Sequence, residues 1–371
     1  MNIVIAMDSF KGSLTSTEAG NAVKEGFLSA DPSLRISVLP LADGGEGTID
    51  ELMPYMSGKK KHLKVTGPLG DPIDSYYMFS GEKAYIEMAK ASGITLIDEP
   101  DVLHATTYGT GELIKDALQS GFKKLIICLG GSATNDGGAG MLQSLGMKLT
   151  DRNGKDIKRG VIGLKDLQGA DRSSMIDINA EIVIASDVTN PLCGPNGSSH
   201  VYGPQKGANE EDVVVMDSLL MRFADFFSMN PTETGTGAAG GLSFALKNFL
   251  GGKIVSGARL FSEEVGLEGA IRNADIVITG EGRMDAQTCN GKGPMEVTML
   301  AGKYNRPVYA ISGSLGDGYE KCLKSGVIHI EELSDKSLDK SSALMNVKKA
   351  AERLWTKISR LRDASEVTVS L

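Results

Sequence analysis

Several segments of this chain place charged and hydroxyl side chains beside glycines directly after a short apolar run. The richest of them reads LGGSATNDGGAG from Leu129 and follows the apolar residues 125–129. A strand that ends in glycines and hydroxyls before a helix can direct several backbone N–H groups at one anion. We therefore expect this loop to bind nucleotide phosphates. The residues predicted to do so are Gly130, Gly131, Ser132, Thr134, Asn135, Asp136, Gly137 and Gly138.

This loop lacks the lysine of a Walker A site, because no Gly-Lys-Ser/Thr triplet closes it. The competing interpretation is a tight strand-to-helix turn, which accounts for one or two glycines but not for five of them among four polar residues. A phosphate-binding loop of this kind needs a cation from elsewhere in the chain. Lys11, Lys206 and Lys292 each lie in a glycine-containing loop, and we expect at least one of them to approach it.

A second loop carries Asp43 and Glu46 among three glycines. Two like charges crowded on glycine-rich backbone suit a bound cation, and carboxylates are common ligands of Mg²⁺. We predict that both side chains bind Mg²⁺, directly or through water. The alternative is that Asp43 caps the helix beginning near Gly45 and that Glu46 complements the dipole of that helix.

Two catalytic candidates lie in the first polar loop, DSFKGS. Asp8 is suited to act on a hydroxyl or to hold a metal, and Lys11 is suited to neutralise a phosphoryl group as a point charge. The competing interpretation is an ordinary loop in which Ser13 or Thr15 caps the next helix and Lys11 is solvated.

Two more candidates follow later apolar runs. Asp187 comes after residues 182–185 and is a candidate general base. Arg283 offers a planar fork suited to a carboxylate or phosphate, with Glu281 or Asp285 to orient it. For each residue alone, a turn cap or a surface ion pair is the competing interpretation.

Other catalytic patterns find no support. The four histidines show no HxxH or HExxH spacing, and no GxSxG segment occurs. Residues 235–240, GTGAAG, match the dinucleotide-binding pattern, but no strand-like segment precedes them and no acidic residue closes a later strand. We predict a glycine-rich helix entry there, with close packing or phosphate approach. The remaining equipment of Asp, Lys, Arg, Asn and backbone amides is that of phosphoryl transfer.

The elements that must position these residues alternate between strands and helices, which predicts an α/β fold with parallel sheets. In such sheets the binding groups collect at the carboxyl ends of the strands, where the polar loops occur. Residues 65–81 carry Gly and Pro signals of an antiparallel hairpin. With 371 residues the chain exceeds the usual size of one core. We predict one parallel-sheet domain from residues 1–64 plus 271–371 and a second α/β domain, 65–270, inserted into it.

The composition of the chain excludes some classes of binding partner. A net charge of −8 argues against broad contact with nucleic acid and favours a small-molecule ligand. No apolar stretch approaches the roughly 20 residues of a membrane span, and the N-terminus has no signal-peptide pattern. The four scattered cysteines are typical of a reducing compartment, which predicts a cytoplasmic protein that binds no membrane.

Eight motifs follow one another along the chain. They are DSFKGSL at Asp8, LADGGEGT at Leu41, ATTYGTGELI at Ala105, LGGSATNDGGAG at Leu129, SDVTNPLCG at Ser186, PQKGA at Pro204, GTGAAGGL at Gly235 and TGEGRMDAQT at Thr279. This ordered series closely resembles the bacterial glycerate kinase family of the first type. The match runs from the N-terminus to about Pro294 and continues more weakly to the end. The resemblance implies an ATP-dependent, Mg²⁺-requiring kinase of D-glycerate, with a Rossmann-like or flavodoxin-like domain, a second α/β domain and a site in the cleft between them.

With this substrate, each role has two candidates. Arg283 or Lys11 would bind the carboxylate of glycerate. Asp187 or Asp8 would accept the proton of the attacking hydroxyl. Lys206 or Lys292 would neutralise charge on the transferred group.

On family grounds we expect the product to be 2-phosphoglycerate rather than 3-phosphoglycerate. We expect the protein to be a monomer or a homodimer. Two alternatives stay open at this point, a non-enzymatic sugar-acid sensor and a kinase of another small hydroxy acid.

Overall fold

The computed structural model describes residues 1–288, 293–335 and 339–369. It is a mixed α/β structure with parallel sheets, so the predicted fold class is confirmed. The strands are β1 Asn2–Met7, β2 Arg35–Val38, β3 Lys59–Thr66, β4 Pro72–Ser80, β5 Lys83–Glu87, β6 Lys124–Cys128, β7 Lys148–Thr150, β8 Gly169–Asp171, β9 Glu181–Ala185, β10 Lys253–Val255, β11 Ile276–Glu281, β12 Val308–Ser312 and β13 Val327–Glu332. The helices are α1 Ser16–Ala30, α2 Thr48–Leu52, α3 Ala89–Ser92, α4 Tyr108–Gln119, α5 Ala139–Ser144, α6 Ser198–Tyr202, α7 Glu210–Phe226, α8 Ala238–Leu250, α9 Gly257–Glu264, α10 Leu267–Arg272, α11 Pro294–Lys303, α12 Glu320–Lys324 and α13 Lys340–Val369.

The chain divides into two compact units, residues 1–42 with 258–371 and residues 43–257. The predicted domain bounds, 1–64 with 271–371 and 65–270, stay a prediction. Within the second unit, β3 pairs with β4 from Lys59 to Thr66, which groups residues 59–64 with this unit. No helix in the described ranges is long and apolar enough to cross a membrane.

In the first unit, the described strands form one parallel sheet in the order β2-β1-β11-β12-β13. Counted along this unit, that is the 2-1-3-4-5 order of flavodoxin-like sheets. The direction of winding reverses between β1 and β11. Ligands of such sheets bind at the carboxyl ends of the strands beside this reversal.

The two faces of this sheet are covered by different helices, as the alternation along β1 requires. Ile3, Ile5 and Met7 belong to a core formed with α1 and α13. Val4 and Ala6 belong to the opposite core, formed with α10 and α11. An apolar residue at every position of the strand is therefore explained by burial on both faces.

In the second unit, the main sheet has the order β10-β9-β6-β5-β4-β3 within the described residues. The predicted hairpin is confirmed, because β3 and β4 pair antiparallel. β5, β6, β9 and β10 run parallel, so their carboxyl ends share one edge. The loops after β5, β6 and β9 carry the polar residues discussed below.

Replacing Phe27 with Ala tests the packing of α1 on α13. Phe27 is fully buried and its ring centroid lies 5.4 Å from that of Trp355. We expect the variant to lose about 3–5 kcal/mol of unfolding free energy, because the cavity cannot refill. Urea denaturation followed by circular dichroism measures the loss. The control is Met345→Ala on α13, whose side chain is 55% exposed and whose change should stay within about 0.5 kcal/mol. Equal effects of the two changes would contradict the packing described here.

Candidate active site

The second unit gathers polar loops at the carboxyl edge of its parallel strands. β6 ends at Cys128 and leads into the glycine loop, residues 129–138. β9, which pairs with β6, ends at Ala185 and is followed after one residue by half-buried Asp187. β5, on the other side of β6, ends at Glu87. Because these strands are neighbours, the glycine loop is flanked by an acidic residue on each side.

The loop of residues 43–47 packs directly on the glycine loop. The Gly130 N–H donates to the carbonyl of Gly44 over 3.1 Å. A Cβ at Gly130 would lie 2.5 Å from the Cα of Gly45, so a side chain at 130 is excluded without a backbone shift. A Cβ at Gly131 would lie 3.4 Å from Oε2 of Glu46. The predicted phosphate loop and the predicted metal-binding loop are therefore in contact.

Asp43 and Glu46 are both exposed. Asp43 Oδ1 accepts the Gly45 N–H at 2.8 Å, and Glu46 Oε1 accepts the Thr95 hydroxyl at 2.8 Å. Among the described residues no group of three or more His, Cys, Asp or Glu has the geometry of a metal site. Mg²⁺ is usually held by one or two carboxylates together with substrate phosphates and water, so two carboxylates suffice for the predicted role.

Glu87 is a site residue that sequence reasoning missed. It is 1% exposed, and its Oε1 accepts the N–H of Ile49 at 2.8 Å, in the first turn of α2. Glu87, and not Asp43, thus accepts a hydrogen bond from the first turn of this helix. Asp43 accepts one from within its own loop. Burial raises the pKa of Glu87, against the effect of the backbone hydrogen bonds and of Lys90. Its position at a strand end was the signal that could have found it.

Asn135 and Asp136 lie inside the protein. The Asn135 side chain donates to the Ser199 hydroxyl at 2.8 Å and accepts from the Ser198 hydroxyl at 2.9 Å. Asp136 accepts the N–H of Thr107 at 2.8 Å and its hydroxyl at 2.9 Å. These contacts hold the loop in shape, and direct phosphate contact by the two residues stays a prediction.

Asp136 also closes the glycine loop onto α5. It accepts the backbone N–H groups of Gly138 at 3.0 Å and Gly140 at 3.2 Å. Burial raises its pKa, and the hydrogen bonds from Thr107, Gly138 and Gly140 act in the opposite direction. A fully buried carboxylate needs such donors, because an unpaired one would be expensive to bury.

The exposed part of the loop is short. Gly131 is exposed and Gly130 and Ser132 are half-buried, whereas residues 133–138 are buried. The hydroxyl of Thr134 is buried without a hydrogen-bond partner in the described part of the chain. An unsatisfied buried hydroxyl is typical of a place completed by a water or a ligand.

Of the three lysines expected at the glycine loop, Lys206 lies against it. Its Nζ donates to the Ser132 hydroxyl at 2.8 Å and to the Thr134 carbonyl at 2.7 Å. Lys11 is exposed and belongs to the first unit, and Lys292 lies outside the described residues.

Residues 235–240, GTGAAG, pack against the buried side of the glycine loop. The Gly137 N–H donates to the carbonyl of Gly240 at 2.9 Å. Gly240 has a φ of 66°, and a Cβ there would lie 2.0 Å from the Thr134 carbonyl oxygen. This confirms the predicted close packing at a helix entry, since α8 begins at Ala238.

The first unit brings Asp8, Lys11 and residues 281–285 to its own strand ends. Asp8 follows β1 and Glu281 ends β11, the two strands between which the winding of the sheet reverses. Arg283 is 67% exposed, and its Nε donates to Asp285 Oδ2 at 3.3 Å. Asp285 is therefore the orienting partner of Arg283, and Glu281 has a different partner.

Glu281 accepts the Thr288 hydroxyl at 2.6 Å. The pKa of Glu281 is raised to about 7, mainly by burial and also by the carboxylates of Asp8 and Asp285. The hydrogen bond from Thr288 and the charge of Lys11 act in the opposite direction. Carboxyl groups with such raised pKa values occur at functional sites, where like charges and burial are combined.

Comparison with known proteins decides the family. The family model described as the glycerate kinase family matches residues 3–363. The chain belongs to the glycerate kinase family. The prediction that it is an enzyme, a kinase, is thereby confirmed, as is the resemblance on which that prediction was based.

This member of the glycerate kinase family is similar to known relatives along most of its length. It is 44% identical over 340 residues to glycerate 2-kinase of Escherichia coli K12, covering 89% of this chain and 88% of that protein. It is 43% identical over 337 residues to glycerate kinase of Halalkalibacterium halodurans, covering 88% of each. A solved structure from Salmonella typhimurium LT2, assigned as glycerate kinase 2, is 40% identical with a TM-score of 0.86, covering 98% of this chain and 99% of that one.

Replacing Gly130 with Ala tests the contact between the two loops in this kinase. The added methyl would force the backbone of Gly45 away, which we expect to cost about 1–3 kcal/mol of unfolding free energy and to weaken ATP binding. Urea denaturation and calorimetric titration with ATP measure the two effects. The control is Gly302→Ala in α11, where a Cβ meets nothing within 4 Å. A Gly130→Ala protein as stable and as tight-binding as the wild type would contradict the described contact.

Proposed function

We propose that this protein transfers the terminal phosphoryl group of ATP to D-glycerate in the presence of Mg²⁺ and forms 2-phosphoglycerate. The observation that carries the proposal is the glycine loop, which combines partly accessible residues 130–132 with a lysine bound beneath them. The preference for the 2-hydroxyl is supported by the 44% identity to a protein named glycerate 2-kinase.

The polar groups of the glycine loop in the second unit are suited to a nucleoside triphosphate. Backbone N–H groups of a glycine loop and a hydroxyl at Ser132 are suitable donors for phosphate oxygens. The buried Thr134 hydroxyl without a protein partner adds a further polar group at the same loop. We assign phosphate contact to Gly131 and Ser132, whereas Gly130, whose N–H already donates to the Gly44 carbonyl, positions the loop. Thr134 and residues 135–138 shape the loop from inside.

Asp43 and Glu46 fit Mg²⁺, because two exposed carboxylates lie in a loop packed on the phosphate loop. We assign both to the metal, directly or through water. When bound, ATP supplies the phosphoryl group and Mg²⁺ neutralises part of its charge.

We assign Lys11 and Arg283 to the carboxylate of glycerate. Both side chains are exposed, and both belong to the carboxyl edge of the first unit's sheet, where the winding reverses. The Arg283 guanidinium is oriented by Asp285 and is suited to a carboxylate. Asp8, at the same edge, stays the second candidate for proton transfer.

We assign proton acceptance from the attacking hydroxyl to Asp187. It follows β9, the strand beside the one that carries the glycine loop, so it lies at the same edge as the proposed phosphate contacts. Its half-buried position limits its motion while leaving part of it accessible. A carboxylate held this way can act as a general base on a substrate hydroxyl.

We further propose that the enzyme is cytoplasmic and is a monomer or a homodimer. It acts on small molecules and does not bind nucleic acid. The buried Cys128 and Cys193 are free thiols, which suits a reducing compartment.

Phosphorus NMR of the reaction of the purified protein with ATP, Mg²⁺ and D-glycerate tests the proposed reaction and its regiochemistry together. We expect ADP and the resonance of 2-phosphoglycerate. The controls are reactions without glycerate and with L-glycerate, glycolate, lactate or tartronate. The 3-phosphoglycerate resonance would overturn the regiochemistry, and activity only on another acid would overturn the substrate. Absence of ADP above background would overturn the kinase reaction and favour a sugar-acid sensor.

Replacing Asp187 with Asn tests the assigned base. We expect kcat to fall by about 10²-fold or more with the fold intact, because the amide cannot accept the proton. Steady-state kinetics and circular dichroism measure the two properties. The matched control is Asp177→Asn, an exposed aspartate of the same unit, which should retain wild-type turnover. Near wild-type turnover of Asp187→Asn would remove Asp187 from the role of base.

A further inference from the structure

Lys206 lies beneath the glycine loop and not at its surface. The residue is 3% exposed and ends a short 3₁₀ helix, Pro204–Lys206, that follows α6. Its Nζ donates to the Ser132 hydroxyl at 2.8 Å and to the Thr134 carbonyl at 2.7 Å. These two bonds join segments 74 and 72 residues apart in the chain. Lys206 therefore connects the loop to a distant element of the same unit.

This burial argues against a direct contact with phosphate. A side chain 3% exposed presents almost no surface to a ligand, and its two described hydrogen bonds both end on the loop. A buried ammonium is costly unless it is hydrogen-bonded, so its donors hold the acceptors firmly in place.

We propose that Lys206 is a positioning residue, which fixes residues 132–134 in the conformation that binds nucleotide phosphates and does not touch the transferred phosphoryl group. The inference rests on the proposed binding of nucleotide by this loop. It assigns to Lys206 the fixing of the loop, in place of the charge neutralisation expected from sequence.

The charges around Lys206 make this positioning dependent on pH. Burial lowers the pKa of Lys206 to about 7, and the carboxylate of Asp136 acts in the opposite direction. Among the described residues, Asp136 is the charged group that acts on this lysine. Raising the pH through neutrality removes the charge that strengthens both hydrogen bonds. Nucleotide affinity should then fall.

Three variants separate positioning from chemistry. Lys206→Met removes the charge and both hydrogen bonds, whereas Lys206→Arg keeps a charge that does not titrate near neutrality. Lys155→Met, at an exposed lysine of the same unit, is the matched control. Each protein is assayed by hydrogen–deuterium exchange without nucleotide, by calorimetric titration with ATP and Mg²⁺, and by steady-state kinetics.

We expect Lys206→Met to accelerate amide exchange in residues 130–138 and to raise the Kd and KM for ATP by about tenfold or more, because the variant loses two charge-assisted hydrogen bonds to the loop. Its kcat at saturating ATP should stay within about threefold of wild type, since the chemical step is untouched. Wild-type affinity for ATP should fall from about pH 6 to about pH 8 relative to Lys206→Arg, which cancels the titration of the ligand itself. Lys155→Met should match the wild type.

Unchanged amide exchange and unchanged ATP affinity in Lys206→Met would overturn the proposal. A large loss of kcat with KM for ATP unchanged would overturn it too, because it would place Lys206 at the transferred group. If Lys206→Met does not fold, the comparison of wild type with Lys206→Arg across pH decides, and equal pH dependence of the two contradicts the inference. Faster loop exchange in a protein that binds ATP but does not phosphorylate glycerate would support the positioning role while the proposed reaction fails.

Discussion

The structure of the second unit's site depends on one buried carboxylate. Asp136 has no exposed surface, and its two oxygens accept hydrogen bonds from Thr107 of one segment and from Gly138 and Gly140 of another. Charged hydrogen bonds of this kind are stabilising by about 1.5–3 kcal/mol each, and leaving the charge unpaired costs more. The carboxylate therefore fixes where the glycine loop ends and α5 begins. Its charge also acts on Lys206, which binds the same loop nearer its start, at Ser132 and Thr134.

Around this centre, backbone packs on backbone without room for side chains. Gly130 lies against the loop of Asp43 and Glu46, and Gly240 lies against the Thr134 carbonyl. Three loops that are distant in the chain thus restrict one another, and the outer part of the glycine loop, residues 130–132, stays accessible. Such preorganisation suits phosphoryl transfer, in which positioning and charge neutralisation do most of the catalysis.

The first unit also places charged side chains at the carboxyl edge of its parallel sheet. Its winding reverses between β1 and β11, so Asp8, which follows β1, and Glu281, which ends β11, lie beside the reversal. Burial and like charges raise the pKa of Glu281 to about 7 there, while Lys11 and Arg283 remain exposed. A carboxyl group with a raised pKa thus lies at the same sheet edge as accessible cations, an arrangement that favours a small anionic substrate.

The sequence by itself determined the elements and the family. Apolar runs such as residues 3–7 and 125–129 specify buried strands, glycine and proline specify the hairpin of β3 and β4, and polar loops after strands indicate the candidate residues. Only the tertiary structure decided which of these side chains are accessible. It buried Asn135 and Asp136, placed Lys206 beneath the loop and revealed Glu87 at the start of α2. The reason is that burial and hydrogen-bond partners of these side chains come from segments as many as 81 residues apart, whereas local patterns report only neighbouring residues.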